Sequence, residues 1–225
     1  MGKYLTQIET SFIQTSINLS QIKTIMDVGA EAGRFSRFSK TNKTDTISLD
    51  IDKTGLKRLK HKTRNNTPIQ ADARKIPFKN DVFDAIFMIE VLDYIPEIHQ
   101  ALDECRRTLK PNASLILSFG NKSSLKAKPR QLSGKSYQHS YQNVVQTLAE
   151  TGFKTKKKTG YNWLLFGRMS ENRLIPFLAR MEGLVGFRKI PSLSPWVILQ
   201  AIKSDLHFTA QKKLDFSESI NKPLL

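Results

Sequence analysis

The sequence predicts an α/β fold in which a largely parallel sheet is covered by helices on both faces. Three observations point there. Apolar, β-branched runs alternate with helix-patterned stretches through the first 120 residues, an order that favours parallel strands joined by crossover helices. The first run, Ile22 to Ile25, leads into Met26-Asp27-Val28-Gly29-Ala30-Glu31-Ala32-Gly33-Arg34, an apolar strand that breaks at a glycine turn and opens a helix. Asp50 then closes the second run twenty-one residues after Gly29. Glycines let backbone approach a ligand, a helix N-terminus presents free N–H groups, and a carboxylate at that distance can accept from both ribose hydroxyls. The combination is a device for holding a nucleotide-like cofactor.

The elements follow in order. Residues 3–18 read as a leading helix with Leu5, Ile8, Phe12 and Ile13 on one face, so residues 1–20 stand before a domain of residues 21–203. Strands are expected near 23–28, 45–50, 68–71, 83–89 and 113–119, with helices near 33–40, 53–62 and 97–109. The third run ends in Asp72 and the fourth passes into Glu90-Val91-Leu92-Asp93-Tyr94. In the helix at 97–109, the stripe Ile98, Ala101, Leu102, Cys105, Leu109 places the lone cysteine in the core. One cysteine excludes an internal disulfide and a cysteine-cluster metal site. Ser140 to Gly152 reads as a helix, Tyr161 to Phe166 as strand or lid, and Trp196 to Ile202 as the final strand. Residues 170–192 form an amphipathic insertion, with Leu174, Leu178, Met181 and Val185 flanked by Arg173, Arg180, Arg188 and Lys189. Such a segment can cap a pocket, lie on a membrane surface, or pack as core or dimer face. Residues 204–225 have the composition of a polar tail.

Five pieces in register carry a family resemblance. They are Asp27-Val28-Gly29 to Gly33; Leu49-Asp50-Ile51-Asp52; Ala71-Asp72-Ala73 with Ile76-Pro77-Phe78; Phe83-Asp84 through Glu90-Val91-Leu92; and Arg106-Arg107-Thr108-Leu109-Lys110-Pro111-Asn112. Together they resemble the class I S-adenosylmethionine-dependent methyltransferases, and within them the type 11 domain. The resemblance implies a Rossmann-like, seven-stranded doubly wound sheet of order 3-2-1-4-5-7-6 with strand seven antiparallel, a small helical lid, and S-adenosyl-L-methionine as cofactor. It also implies roles. Gly29, Ala30, Glu31 and Gly33 approach the methionine moiety and ribose, with Asp27 orienting the loop from beneath. Asp50 holds the ribose and Ile51 packs on adenine. Asp72 and Ala73 meet the adenine edge, and Glu90 faces the methionine end. The competing dinucleotide fingerprint, G-x-G-x-x-G, is not met: the spacing here is G-x-x-x-G, with Glu31 where a middle glycine could sit. Asp50 and Asp72 also have plainer readings, as a turn acid and a helix N-cap.

Composition bounds the rest. At 39% hydrophobic and 25% charged the chain is globular in type. With no apolar run of about 18 residues, no membrane span is expected, and the N-terminus lacks the apolar core of a secretory signal. A cytoplasmic location, with the option of a membrane periphery, is the expectation. The net charge of +16 is concentrated between Asn121 and Gly160, where nine Lys or Arg stand against Glu150 alone. That face attracts polyanions, RNA or acidic lipid, or is simply a solvated basic surface. No metal site is visible. The one histidine placed for chemistry is His139, beside Tyr137 and Tyr141, as base or acceptor contact. The leading expectation is methyl transfer to a small-molecule or lipid-linked acceptor, at oxygen. The alternatives are RNA methylation through the basic face and a non-catalytic protein on the same fold.

Overall fold

A computed structural model describes residues 2–31, 33–35, 44–60, 66–127, 139–163 and 172–204. The helix expected past Gly33, His61, His207, Tyr137, the lysine and arginine positions 128, 130 and 135, and the tail from 205 lie outside these residues. The elements are α1 (Gly2–Ser16), β1 (Thr24–Val28), β2 (Asp45–Asp50), α2 (Lys53–Lys60), β3 (Asn66–Gln70) and β4 (Phe83–Ile89). After these come α3 (Ile98–Thr108), β5 (Leu109–Gly120), α4 (Tyr141–Glu150), β6 (Phe153–Tyr161), α5 (Ile175–Leu184) and β7 (Trp196–Lys203). The seven strands form one sheet of order β3-β2-β1-β4-β5-β7-β6. Neighbours pair in parallel from β3 to β5, and β7 runs antiparallel to both β5 and β6.

Side chains alternate across each strand, and both faces are buried, which is why the central strands read as unbroken apolar runs. Met26, Ile86, Met88, Leu115, Leu117, Val197 and Leu199 enter one core with Leu102 and Cys105 of α3 and Val144 and Leu148 of α4. Ile25, Ala85, Phe87, Ile116 and Ile198 enter the other, with Tyr4, Leu5, Phe12 and Ile13 of α1 and Ile175 and Ala179 of α5. The leading helix is therefore half of one core layer.

Parts of three of the five motifs are joinery. Asp84 accepts the backbone N–H groups of Lys23 and Thr24 at 3.0 and 2.9 Å and pairs with Lys110 at 2.6 Å, fixing where β1, β4 and β5 begin. Arg107 donates to the carbonyls of Phe78 and Ile76 at 2.7 and 2.9 Å, while Glu104 accepts from the Ile76 N–H at 2.8 Å. The Ile76-Pro77-Phe78 loop is thus strapped to α3.

Strand limits moved where pairing outweighs composition. β5 starts at Leu109, not 113: Leu109 pairs with Phe83, and the ladder slips across the Lys110-Pro111-Asn112 stretch before Ser114 meets Ala85. Asn112 takes φ 61° there, a left-handed turn at the slip in the ladder. β6 is an edge strand whose Lys154, Lys156 and Lys158 are exposed. Lysines on an open edge discourage pairing with another chain. Part of the basic 121–160 stretch is therefore strand edge.

Candidate active site

The carboxyl ends of β1, β2 and β4 open into a cavity of about 650 Å³ lined by Asp27, Gly29, Glu31, Asp50, Ile51, Asp72, Glu90 and Tyr94 among others. The glycine turn is clamped onto β2. Gly29 N–H and Ala30 N–H both donate to the Leu49 carbonyl, at 2.7 and 3.3 Å, and Gly33 N–H donates to Ala30 at 2.7 Å. Gly29 holds φ 70°, and a Cβ there would lie 2.3 Å from Val91 Cγ2. Glycine is required at this position for both reasons. Glu31, a non-glycine residue in the same turn, also holds positive φ, 45°. Its N–H donates to Asp50 Oδ2 at 2.8 Å.

Asp50 therefore does two things. One oxygen receives Glu31 N–H and the other receives Asp52 N–H at 2.9 Å, so the carboxylate facing the cavity is held rigid by the chain it stands in. Asp52 in turn accepts from Thr54 and Gly55 N–H at 2.9 and 3.2 Å, capping α2. These donors hold its carboxyl below the usual range. Gly55 lets that helix press on the turn: its Cβ would sit 3.1 Å from the Glu31 backbone. Ile51 is 69% exposed on the cavity wall, an apolar surface open to a ligand. Asp72 accepts Arg74 N–H at 2.9 Å and is gripped by the Arg74 guanidinium, whose other arm reaches Glu97 at 2.6 Å. The hydrogen bonds from Arg74 hold Asp72 below its ordinary range. Ala73 lines the same wall.

The inner end of the cavity is acidic and buried. Asp27 is 3% exposed, and its Oδ2 is buried without a hydrogen-bond partner. Burial pushes its carboxyl up to about 7, with Arg34 pulling down and Asp50 pushing further up. Glu90 stands at φ 61°, its N–H fixed by Ser118, and its carboxylate lies 3.4 Å from Arg34. Arg34 lies equally far from Glu9, a wholly buried acid delivered by α1. Burial, followed by the Glu90 charge, raises Glu9 to about 7, while Arg34 opposes the rise. Tyr161 donates to Glu9 at 2.8 Å.

Asp27, Gly29, Ala30, Glu31, Asp50, Ile51, Asp72, Ala73 and Glu90 all line one cavity; Gly33 shapes the turn beneath it. His139 does not line it. It is buried, and its Nε2 lies 3.1 and 3.0 Å from the carbonyls of Leu92 and Ile95. Two carbonyls require that nitrogen to be the N–H donor, so the imidazole cross-links the turn that carries Tyr94 and is not presented to a ligand. Sequence reasoning missed Glu9, Arg34 and Tyr161. Glu9 left one signal, an acid on the α1 stripe between Leu5 and Phe12. Asp93 was also missed; it accepts Gly120 N–H at 3.1 Å and ties the turn after β4 to the end of β5. Among the described residues there is no group of three or more His, Cys, Asp and Glu placed to hold a metal ion.

A glycine turn at the end of β1, an acid at the end of β2 and a third acid past β3, all on the carboxyl edge of a 3-2-1-4-5-7-6 sheet, define the class I fold of S-adenosylmethionine-dependent methyltransferases. Residues 26–117, less than half of the chain, match the sequence model of a methyltransferase domain, and S-adenosyl-L-methionine is the cofactor that goes with that domain. An uncharacterised protein of Methanocaldococcus jannaschii is 39% identical over 101 residues, 45% of this chain and 42% of that protein. Sterol methyltransferase-like 3 of Botryococcus braunii is 33% identical over 103 residues, 43% of this chain and 26% of that protein. The chain thus spans less than half the length of these relatives. Among solved structures, an S-adenosylmethionine dependent methyltransferase of Mesorhizobium loti superposes with TM-score 0.64 at 14% identity, covering 86% of this chain and 97% of that one. Geranyl diphosphate C-methyltransferase of Streptomyces coelicolor A3(2), solved with Mg²⁺, geranyl diphosphate and S-adenosyl-L-homocysteine, superposes with TM-score 0.62 at 13% identity, covering 80% and 73%. At such identities the likeness is one of fold.

Proposed function

We propose that this protein transfers the methyl group of S-adenosylmethionine to a small-molecule or lipid-linked acceptor, at an oxygen atom. The observation that carries the reading is the single cavity that brings Asp27, Asp50, Asp72 and Glu90 to one carboxyl edge around an exposed apolar Ile51. The residues fit the cofactor on two counts: an unpartnered buried oxygen on Asp27 stands below the glycine turn, and a rigidly held carboxylate on Asp50 stands beside it. When bound, S-adenosylmethionine supplies an electrophilic methyl on a sulfonium, and the protein's task is alignment. Asp50 would accept from the ribose hydroxyls, Ile51 would pack on the adenine face, and Asp72 and Ala73 would meet its edge. Glu90 and Arg34 would order the methionine end, and Asp27 would orient the turn from beneath.

Phe35, Ile89, Tyr94, Ile95 and Pro96 also line the cavity and would suit an apolar acceptor. Sterol methyltransferase-like relatives and a fold neighbour that binds geranyl diphosphate support an acceptor of that kind. A hydroxyl proton would leave toward Glu90, which lines the cavity beside Arg34 and, across it, Glu9. The RNA reading draws on the basic 121–160 stretch, in which Lys154, Lys156 and Lys158 are exposed on the β6 edge.

The test is calorimetric titration of the full chain with S-adenosylmethionine and S-adenosylhomocysteine, with Asp50→Ala beside it. Micromolar binding is expected, weakened roughly 10- to 100-fold in the variant because hydrogen bonds to a charged group are lost. A folded Asp50→Ala protein with undiminished affinity overturns the site. Binding established, a screen of sterols, quinone-like phenols and polynucleotides identifies the acceptor.

A further inference from the structure

We propose that the excursion between β6 and β7, residues 172–195, is a docking face for an anionic phospholipid bilayer. β6 ends at Tyr161 and β7 begins at Trp196, and these two residues pair. Both β6 and β5 are antiparallel to β7, so β6 is parallel to β1–β5. The excursion therefore leaves and re-enters the sheet at the carboxyl edge, the edge on which the cavity opens.

Its helix is used on one side only. Ile175, Ala179 and Glu182 of α5 are buried, and the first two pack in the core layer with Tyr4 and Phe12 of α1. The other side presents Leu174, Phe177, Met181 and Leu184, the last 73% exposed. The turn beyond adds Val185, Phe187, Ile190 and Leu193. Among the described residues ten large apolar side chains are exposed; eight are here, and the remaining two, Ile51 and Tyr94, line the cavity. An apolar patch of this kind is an interaction surface.

Charge selects the occupant. Arg173, Arg180 and Lys189 are exposed around the patch, and Lys157 and Lys158 share a groove with Arg180 and Lys189. Glu182, the sole acid between residues 172 and 195, is turned inward, accepting from Tyr4 Oη at 2.7 Å and Trp163 N–H at 3.1 Å. Apolar side chains ringed by cations match an acidic bilayer, which takes the first into its acyl boundary and the second among its headgroups. A second copy of the chain would set Arg173, Arg180 and Lys189 against the same cations, since a two-fold interface is self-complementary. RNA would leave the leucines and valine without a partner. Docking stands on this surface alone; its consequence, that a lipid-phase acceptor reaches the cavity without crossing water, rests on the methyl-transfer reading.

The experiment is co-sedimentation of the full chain with vesicles of phosphatidylcholine alone and of equal parts phosphatidylcholine and phosphatidylglycerol. Binding is expected to the mixed vesicles only. Each Lys or Arg at an acidic surface is worth about fivefold in partition, so Arg180→Glu/Lys189→Glu should weaken binding at least ~25-fold. Phe177→Asp/Leu184→Asp should abolish it. Both variants should keep the circular dichroism spectrum and the S-adenosylmethionine affinity of the parent, which separates this inference from the cofactor reading. Equal binding to neutral vesicles, or full binding by either double variant, overturns it. So does a dimer in sedimentation velocity that Phe177→Asp/Leu184→Asp dissociates, because a second copy then covers the face. Salt-sensitive polynucleotide binding lost in Arg180→Glu/Lys189→Glu, without vesicle binding, overturns it in favour of RNA.

Discussion

Asp27 should make the protein lose stability as pH rises, and Asp27→Asn should remove that loss. Its carboxyl ionises near 3.8 in the unfolded chain and is pushed up to about 7 in the fold by burial. The native state thus holds a proton that the unfolded state has released, and stability falls with pH between those values. The contribution is fully present below about 3.8 and gone once pH has risen through about 7. At 1.36 kcal/mol per pH unit the whole interval is worth about 4 kcal/mol, and the span from about pH 5 to about pH 7 about 2.7 kcal/mol. Asparagine has nothing to titrate. Whatever it changes in packing or hydrogen bonding is the same at every pH, so the gap between variant and parent isolates the carboxyl. Urea unfolding of both proteins at about pH 5 and about pH 8, without ligand, should show the difference moving by about 2–3 kcal/mol in favour of Asp27→Asn. A cationic ligand in the cavity favours the ionised carboxyl. S-adenosylmethionine should therefore bind the parent more tightly as pH rises through this range, and bind Asp27→Asn weakly throughout. Parallel stability profiles for the two proteins would refute the burial argument.

Three further outcomes follow from the same geometry. Gly29→Ala combines a positive φ with a Cβ 2.3 Å from Val91 Cγ2 and should lose about 3 kcal/mol or more. Adding Val91→Ala should return the steric part and leave about 1–2 kcal/mol from the backbone, measured by denaturant titration. Glu31→Gly relieves φ 45° and should gain up to about 1 kcal/mol with cofactor affinity kept; a loss of stability would mean that the glutamate side chain holds the turn. Tyr161→Phe removes the donor to Glu9 Oε1 and should cost about 1–3 kcal/mol. Because Glu9 sits near 7, the cost should be larger at about pH 8 than at about pH 5, where the acid is protonated and needs the donor less.

How much of this was legible in the sequence depended on the range over which each contact acts. The glycine turn, Asp50 and Asp72 could be read because their partners are neighbours along the chain or the next strand, and the spacing between them is set by one strand–helix–strand unit. β1, β2 and β4 could be read because burial on two faces writes an unbroken apolar run. β6 is an edge strand covered with lysines, so its hydropathy resembles a loop; only its pairing with β7 shows the strand. β3 ran from 66 instead of 68 because register with β2, and not the composition of Asn66 and Thr67, decides where pairing starts.

The inner end of the cavity was out of reach for the same reason. Glu9, Arg34, Glu90 and Tyr161 come from four parts of the chain separated by up to 152 residues, and none of them has a local signature that names the others. His139 illustrates the opposite error. A histidine between tyrosines looks like chemistry, yet its imidazole joins two carbonyls 44 and 47 residues away. Composition says that a group can titrate; only the surrounding atoms say whether the proton is already committed. By that criterion the candidates for proton chemistry move from the lone histidine to the buried carboxylates Asp27 and Glu9. Desolvation raises both to about 7, and the leading helix brings Glu9 within 3.4 Å of Arg34, beside Glu90 of the candidate site.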